Sequence, residues 1–207
     1  MWIAIVVGML TSYMLGNVNG AVIISALMHD DVRNHGSGNA GLTNFIRNYG
    51  SAKALLVVVI DASKAVLACL TTGLLLKSHG MYQEGVMLGG TAVILGHVFP
   101  ALLGFRGGKG ILSGLFIAFV ADWRIALAIV VIFFVVYFIT RYVSLSSVLA
   151  AIGFAAGFCI LYYDKPVILV CGILIPALAI FMHRSNIVRL CKGKETKTDL
   201  FKKEKSV

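Results

Sequence analysis

The chain has 207 residues, of which 59% are hydrophobic and 13% are charged. Soluble domains carry roughly 45–50% apolar and about 25% charged residues, so this composition excludes an ordinary soluble globular protein. The net charge of +9 could suit nucleic acid, but eight of the 18 basic residues follow the last apolar run, as in a tail beside anionic lipid. They are Arg184, Arg189, Lys192, Lys194, Lys197, Lys202, Lys203 and Lys205. We therefore expect an all-α integral membrane protein that contacts membrane lipid and no nucleic acid.

Seven apolar runs follow one another along the chain, near residues 2–28, 52–76, 85–99, 111–121, 125–140, 148–163 and 167–182. The first run is interrupted by the sequence G-N-V-N-G at residues 16–20, which predicts a kink or a close helix–helix contact. The fourth run is short, because a helix needs about 20 residues to cross a bilayer. The runs predict a bundle of about seven transmembrane helices. Five helices, with the third and fourth runs as a re-entrant pair, are the alternative.

The basic residues predict an orientation for either helix count. The segments after the first, third, fifth and seventh runs contain 14 of the 18 Lys and Arg residues, whereas the opposite side contains Lys77, Arg124 and Lys165. Because cytoplasmic segments are enriched in Lys and Arg, the N-terminus is expected outside and the C-terminus in the cytoplasm. We treat residues 1–207 as a single membrane-embedded domain. Its basic cytoplasmic tail, residues 183–207, begins within the site.

The first polar segment, residues 33–47, contains G-x-G-x-x-G at Gly36, Gly38 and Gly41. A dinucleotide site requires a preceding strand, and here an apolar helix precedes, so a Rossmann site is rejected. Glycines still allow backbone N–H groups to converge on an anion. A helix that begins near Gly41 places Thr43 and Arg47 one turn apart on one face. The polar side chains that accompany the glycines are Ser37, Asn39, Thr43, Asn44 and Arg47, whose guanidinium suits phosphate.

The second polar segment, residues 96–110, is similar to a P-loop but departs from its pattern. Leu103 stands at the first glycine position, and Gly110 follows Lys109 where the pattern requires Ser or Thr, which disfavours nucleotide hydrolysis. A glycine-rich loop that carries Arg106 and Lys109 ahead of a helix remains suited to phosphate. His97, near the end of an apolar run, requires a hydrogen-bond partner, and it serves either as a structural partner for a loop or in catalysis.

The third polar segment, residues 183–195, places His183 and Asn186 on one face if it is helical. Glu195 can then pair with a cation of another loop. An interfacial amphipathic helix with snorkelling arginines is the alternative interpretation. Within the second apolar run, Asp61 and Lys64 have i,i+3 spacing, which predicts a structural ion pair that faces the bundle interior.

Two anion-binding loops and a His/Asn pair at one membrane face fit two functions. One is a reaction between two phosphorylated substrates, and the other is a membrane transporter of a phosphate ester. A transporter favours polar groups at the bilayer midplane, often on broken helices in repeated halves. Here the polar groups gather at one face and no internal repeat is visible, which favours the enzyme.

Together the three segments resemble the bacterial acyl-phosphate:glycerol-3-phosphate acyltransferase family (PlsY type). Its motif S-G-N-x-G-x-T-N-x-x-R matches residues 37–47, G-H-x-x-P with G-G-K-G matches 96–110, and H-R-x-N-I-x-R-L with G-x-E matches 183–195. The resemblance implies transfer of a fatty acyl group from acyl-phosphate to the 1-hydroxyl of sn-glycerol 3-phosphate. The products are lysophosphatidic acid and phosphate, in the first step of phospholipid synthesis at a bacterial inner membrane. It also implies no cofactor, no metal ion, no use of acyl-CoA or acyl carrier protein, and no obligate protein partner.

We assign roles by combining this resemblance with the chemistry of the residues. Ser37, Arg47 and Lys109 are expected to bind phosphate and stabilise charge in the transition state, and His183 with Asn186 to orient the hydroxyl. The proton acceptor is left open between His183 and the departing phosphate. The expected substrate-binding residues are Gly38, Asn39, Thr43, Asn44, His97, Gly104, Arg106, Gly107, Gly108 and Gly110, and the expected supporting residues are Asp61, Lys64 and Glu195.

Overall fold

A computed structural model describes residues 1–198 and 200 of the chain. These residues form ten α-helices and two short 3₁₀ turns, without a β-strand, which confirms the all-α prediction. Each of the seven predicted apolar runs contains a helix. The helices are α1 (Trp2–Asn17), α2 (Gly20–Leu27), α3 (Leu42–Tyr49), α4 (Ser51–Lys77), α5 (Tyr82–Val98), α6 (Ile111–Ala121), α7 (Trp123–Thr140), α8 (Val143–Leu161), α9 (Pro166–Met182) and α10 (Arg184–Cys191). The 3₁₀ turns are Val32–Asn34 and Ala101–Leu103.

Length and hydropathy separate the helices that can cross a bilayer from those that cannot. In the described residues five spans qualify, and the bent pair of α9 and α10 makes up to six. Helix α6 has 11 residues, or about 16 Å of rise, which is shorter than the roughly 30 Å hydrocarbon core. The predicted count of seven crossings therefore stays a prediction, as does the orientation. Of the eight basic tail residues, Lys202, Lys203 and Lys205 lie outside the described residues.

The predicted interruption at residues 16–20 is a real break between α1 and α2. Asn19 caps the start of α2, where its side chain accepts a 3.0 Å hydrogen bond from the amide of Val22. Beside the break, α1 and α5 are in backbone contact, because a Cβ atom on Gly96 would lie 2.1 Å from the carbonyl oxygen of Tyr13. Small residues allow this approach, as they do between membrane helices generally. The kink and the close helix contact are both confirmed.

Some of the apolar side chains are buried in two clusters, and others are exposed on the outer surface. One buried cluster joins helices α4 to α9, and a smaller one around Phe45 lies beneath the first polar segment. Large apolar side chains also project outward from the long helices, among them Leu10, Leu55, Leu74 and Ile152. Exposed apolar surface of this extent suits a lipid solvent rather than water.

Candidate active site

Asn44 organises the loop of the first polar segment. Its side-chain oxygen accepts a 3.0 Å hydrogen bond from the amide of Ser37, and its nitrogen donates to the carbonyl oxygens of Val32 and Asn39 at 3.0 and 3.1 Å. Gly36 has φ of +57°, and a Cβ atom there would lie 2.5 Å from the Asn44 oxygen. Asn44 thus holds the loop conformation, a role that its expected place among the substrate-binding residues did not include.

The loop of the second polar segment is packed directly onto His97. The amide of Gly108 donates to the carbonyl oxygen of His97 at 3.1 Å, and a Cβ atom on Gly108 would lie 2.2 Å from His97 Nε2. A Cβ atom on Gly107 would lie 1.9 Å from that same carbonyl oxygen. These two glycines are therefore needed for contact with the histidine. Gly104, in turn, has φ of +64° in an exposed turn.

Asp61, Lys64 and His97 form a cluster inside the bundle, which we call the buried cluster. The Lys64 ammonium contacts Asp61 Oδ1 and His97 Nδ1, each at 2.8 Å, so the predicted i,i+3 ion pair is confirmed. Lys64 also donates to the carbonyl oxygen of Val18, and Asp61 accepts from the amide of Gly20 at 3.2 Å. All three side chains are at most 5% exposed. The cluster thus connects the break between α1 and α2 to the histidine beneath the second loop.

Two asparagines of the helix break extend this connection to both polar loops. The side-chain nitrogen of Asn19 donates to the carbonyl oxygen of Ala40 in the first loop at 3.0 Å. The side-chain oxygen of Asn17 accepts from the amide of Leu102, just before the second loop, at 3.0 Å. A single irregular point in the membrane helix therefore holds both glycine-rich loops in place.

The third polar segment begins at a 57° bend between α9 and α10. At the bend, His183 Nδ1 lies 2.8 Å from the carbonyl oxygen of Ala179, which can only accept, so Nδ1 carries the proton. Nε2 is then the ring nitrogen that can accept a hydrogen bond. On α10, Asn186 accepts from the Lys109 ammonium and donates to Glu195 Oε1 at 2.7 Å. Glu195 also pairs with Arg189 at 2.7 Å.

One cavity of about 390 Å³ brings the three polar segments together. At its polar end lie Arg47, Lys109, Arg189 and Glu195, which we call the cationic mouth. An apolar arm continues between α6, α7, α8 and α9, lined by Leu112, Leu115, Ile129, Phe133, Phe154 and Ile175 among others. The predicted site residues that line the cavity are Ser37, Asn39, Thr43, Asn44, Arg47, Asp61, His97, Lys109, Gly110, His183, Asn186 and Glu195.

The remaining predicted residues are not part of the cavity lining. Gly107, Gly108 and Lys64 contact His97 instead. Gly38 has φ of +67° within the first loop, a backbone conformation that favours glycine. Gly104 and Arg106 are exposed beside the cavity, so their assignment to the substrate stays a prediction without a contact to support it.

The cationic mouth contains three basic side chains and one carboxylate, and its pKa values reflect burial and crowding. Burial, together with the charges of Arg189 and Arg47, lowers the pKa of Lys109 to about 8. Burial and Arg189 also lower the pKa of Arg47. For Glu195, burial acts to raise the pKa, but hydrogen bonds from Asn186 and Arg189 outweigh it and lower the pKa below its usual value. Glu195 is thus a carboxylate, and the mouth carries excess positive charge that suits an anionic ligand.

Sequence reasoning missed three contributors to this site. Arg189 was assigned only to the basic tail. It lies within the third motif, however, and its spacing from Glu195 is compatible with an ion pair. Thr198 and Leu200 follow the last motif, and no local pattern marks them. Leu200 lines the cavity, and Thr198 contacts Arg47.

A family model described as glycerol-3-phosphate acyltransferase matches residues 6–193. The chain belongs to the glycerol-3-phosphate acyltransferase family. It is 36% identical over 187 residues to the glycerol-3-phosphate acyltransferase of Finegoldia magna, covering 89% of this chain and 91% of that one. It is 35% identical over 190 residues to that of Aquifex aeolicus, covering 89% and 94%.

Two solved structures of PlsY, an integral membrane glycerol 3-phosphate acyltransferase, share the fold. The glycerol 3-phosphate form superposes with a TM-score of 0.86 at 33% identity and covers 96% of this chain and 99% of that one. The lysophosphatidic acid form superposes with a TM-score of 0.84 at 32% identity and covers 95% and 96%. The integral membrane architecture expected from composition is therefore confirmed at the level of the family.

Proposed function

We propose that this protein transfers a fatty acyl group from acyl-phosphate to the 1-hydroxyl of sn-glycerol 3-phosphate. The products are lysophosphatidic acid and phosphate, in the first step of phospholipid synthesis. The observation that carries the proposal is the cavity, because one enclosure joins a cationic mouth to an apolar arm. Such a cavity can hold a phosphate ester and a lipid-borne acyl-phosphate side by side. Family membership and the two PlsY forms support the acceptor and the product.

The reaction requires the enzyme to bind both substrates, align the reacting groups and stabilise the developing negative charge. An acyl-phosphate is a mixed anhydride with a good leaving group, so the barrier falls once the hydroxyl is aligned with the carbonyl carbon and the developing oxyanion is stabilised. We assign Arg47 and Lys109 to the phosphate groups and to the negative charge of the transition state. Ser37 and the backbone of the first loop supply neutral hydrogen-bond donors beside them.

Asn186 receives a different role from the one expected for it. It accepts from Lys109 and donates to Glu195, so we assign it to positioning the lysine rather than to orienting the substrate hydroxyl. Glu195 then supports both Asn186 and Arg189. His183 keeps its expected role, since its Nε2 is bonded to no described residue and can accept a hydrogen bond from the 1-hydroxyl.

The transfer step forms one bond and breaks one bond. The 1-hydroxyl oxygen bonds to the acyl carbonyl carbon, and the bond from that carbon to the phosphate oxygen breaks. The proton leaves the hydroxyl for the departing phosphate or for His183 Nε2. His183→Gln separates these routes, because only the second predicts loss of the acidic limb of the pH–rate profile.

The acyl chain would occupy the apolar arm, and the phosphates would approach from the water side. The excess of Lys and Arg on the segments that build the site supports a cytoplasmic active site in a bacterial inner membrane. This placement gives each substrate its own solvent, because the acyl chain stays in lipid while glycerol 3-phosphate stays in water.

The decisive assay uses purified wild-type protein in lipid vesicles with palmitoyl phosphate and labelled glycerol 3-phosphate. We expect labelled lysophosphatidic acid and release of one phosphate per product. Palmitoyl-CoA in place of palmitoyl phosphate serves as the control donor and should give no product. Uptake of label into vesicles without lysophosphatidic acid would contradict the proposal and favour transport.

A further inference from the structure

Arg47 is held by a segment that lies after the last sequence motif. Its Nε donates to Thr198 Oγ1 at 3.0 Å, its Nη2 donates to the same oxygen, and Nη2 also donates to the carbonyl oxygen of Thr196 at 3.3 Å. Thr198 is 5% exposed, so this contact is enclosed rather than a loose surface bond. The family model match ends at residue 193, so Thr198 lies beyond the matched region.

Tyr137 of α7 holds this segment in turn. The tyrosine is fully buried, and its hydroxyl donates to the carbonyl oxygen of Thr198 at 3.0 Å and accepts from the amide of Leu200 at 2.9 Å. The amide of Thr198 donates to the carbonyl oxygen of Arg141 at 3.2 Å. A buried hydroxyl on an apolar helix requires partners, and here the partners are backbone groups of the tail. The position of Thr198 is therefore fixed from both sides.

The geometry leaves one nitrogen of the guanidinium, Nη1, for a ligand. Thr198 and Thr196 accept hydrogen bonds from Nε and from Nη2, whereas Nη1 makes no hydrogen bond to any described residue. The neutral hydroxyl of Thr198 fixes the orientation of the Arg47 guanidinium without neutralising its charge. The two N–H groups of Nη1 can then donate to a phosphate group without a further loss of side-chain freedom.

Glu195, which ends the last motif, orients the second cation of the site. Glu195 accepts a hydrogen bond from the side-chain amide of Asn186, and that amide accepts one from the Lys109 ammonium. Glu195 therefore orients the lysine through Asn186. Glu195 and Thr198 are three residues apart, and between them they reach both cations that we assign to phosphate.

We infer that Thr198 is a positioning residue for Arg47 and that Tyr137 acts by holding Thr198, so that residues 195–198 and 200 complete the active site. This inference rests on the proposed function. It differs from an autoinhibitory role, in which the tail would compete with substrate for Arg47. The two roles predict opposite changes in rate when the threonine hydroxyl is removed.

The test compares Thr198→Val, which keeps shape and removes the hydroxyl, with Thr198→Ser, which keeps the hydroxyl. Thr11→Val is the matched control, because Thr11 is exposed on α1 and its hydroxyl bonds only to the carbonyl oxygen of Val7 among the described residues. Tyr137→Phe is the second variant, with Tyr163→Phe, an exposed tyrosine, as its control. Values of kcat and KM for each substrate are measured together with the melting temperature in detergent.

We expect Thr198→Val to lower kcat/KM about tenfold, as for loss of a hydrogen bond to a charged group, mainly through kcat and at an unchanged melting temperature. Thr198→Ser should restore the rate, and Tyr137→Phe should lower it in the same way. A rate for Thr198→Val equal to that of Thr11→Val, or higher than wild type, would overturn the inference. If Thr198→Val fails to fold, Tyr137→Phe decides by the same criterion. Wild-type protein that forms no lysophosphatidic acid would contradict the proposed function instead.

Discussion

The buried cluster and the cationic mouth are two polar networks in one apolar protein, and they treat charge in opposite ways. In the buried cluster the Lys64 ammonium meets the Asp61 carboxylate, and His97 and backbone groups complete the hydrogen bonds. In the mouth, three basic side chains share the carboxylate of Glu195, the one acid that the described residues place there. Unpaired charge in a dry interior is costly, so it persists only where an anion arrives to balance it. The comparison separates a structural network from a functional one.

Breaking the charge balance of the buried cluster should give the largest effect. Asp61→Asn leaves the Lys64 ammonium without its carboxylate, and we expect the free energy of unfolding to fall by about 3–5 kcal/mol. The double variant Asp61→Asn/Lys64→Met should recover most of that loss, because neither charge remains. Chemical denaturation in detergent measures all three proteins. Asp164→Asn, in an exposed pair with Lys165, is the control and should change stability little. Equal losses for the single and double variants would contradict a charge-balanced cluster.

Removing a cation from the mouth should instead reduce activity and leave stability intact. For Lys109→Ala we expect kcat/KM to fall about 10²–10³-fold, the effect of losing one group that stabilises transition-state charge. The melting temperature should stay constant or rise, because repulsion from Arg47 and Arg189 is relieved. Lys165→Ala at an exposed turn is the control. Wild-type transfer rates for Lys109→Ala would remove the lysine from the mechanism.

The pH dependence of activity sharpens the same contrast. Because burial lowers the pKa of Lys109 to about 8, the free enzyme loses this charge as pH rises through that value. The second ionisation of a phosphate ester lies near pH 6 and is already complete there. We therefore predict that kcat/KM falls about tenfold per pH unit above 8. Lys109→Arg stays charged at these pH values, so the fall in kcat/KM should begin at a higher pH. If the fall begins at the same pH as in wild type, it is caused by the ionisation of another group.

The smallest effect concerns the apolar arm rather than either polar network. Gly114 of α6 lines the cavity one turn after Gly110, and a Cβ atom there would meet no atom within 4 Å. Gly114→Ala should therefore stabilise the protein by about 0.5–1 kcal/mol through helix propensity alone. Gly114→Leu should lower the rate with palmitoyl phosphate severalfold by filling the arm.

Gly96→Ala is the contrasting variant, for which we expect a loss of stability rather than a gain. A Cβ atom at Gly96 would lie 2.1 Å from the carbonyl oxygen of Tyr13, so this variant should be destabilised. Thermal unfolding of the two alanine variants side by side checks the pair. Destabilisation by Gly114→Ala would show that the arm is closed at this point.

Patterns in short stretches of sequence predicted the features that depend on neighbouring residues. Hydropathy marked the seven apolar runs that form helices, the G-N-V-N-G sequence marked the break, and the i,i+3 spacing of Asp61 and Lys64 marked their ion pair. Contacts between distant segments were beyond such patterns. Lys109 and Asn186 are 77 residues apart, and nothing near either residue indicates that they share a hydrogen bond.

For two kinds of predicted site residue the structure shows a neighbour that requires the residue type, while their binding of substrate stays a prediction. Gly107 and Gly108 were expected to cradle phosphate, yet their lack of a side chain is required by the His97 ring and carbonyl. Asn44 was expected to bind substrate, and the structure shows that its side-chain hydrogen bonds hold the first loop. A sequence motif records that a residue type is needed, whereas the packed structure shows which neighbour needs it.

The central claim is that the cationic mouth, and not the buried cluster, takes up the phosphate substrate. The most direct measurement is calorimetric titration of glycerol 3-phosphate into wild type, Lys109→Ala and Asp61→Asn/Lys64→Met proteins in the same detergent. We predict that the double variant binds with an affinity close to wild type and that Lys109→Ala loses at least about tenfold in affinity, as for loss of a charge-assisted contact. Wild-type affinity in Lys109→Ala, with binding lost in the double variant, would contradict the claim.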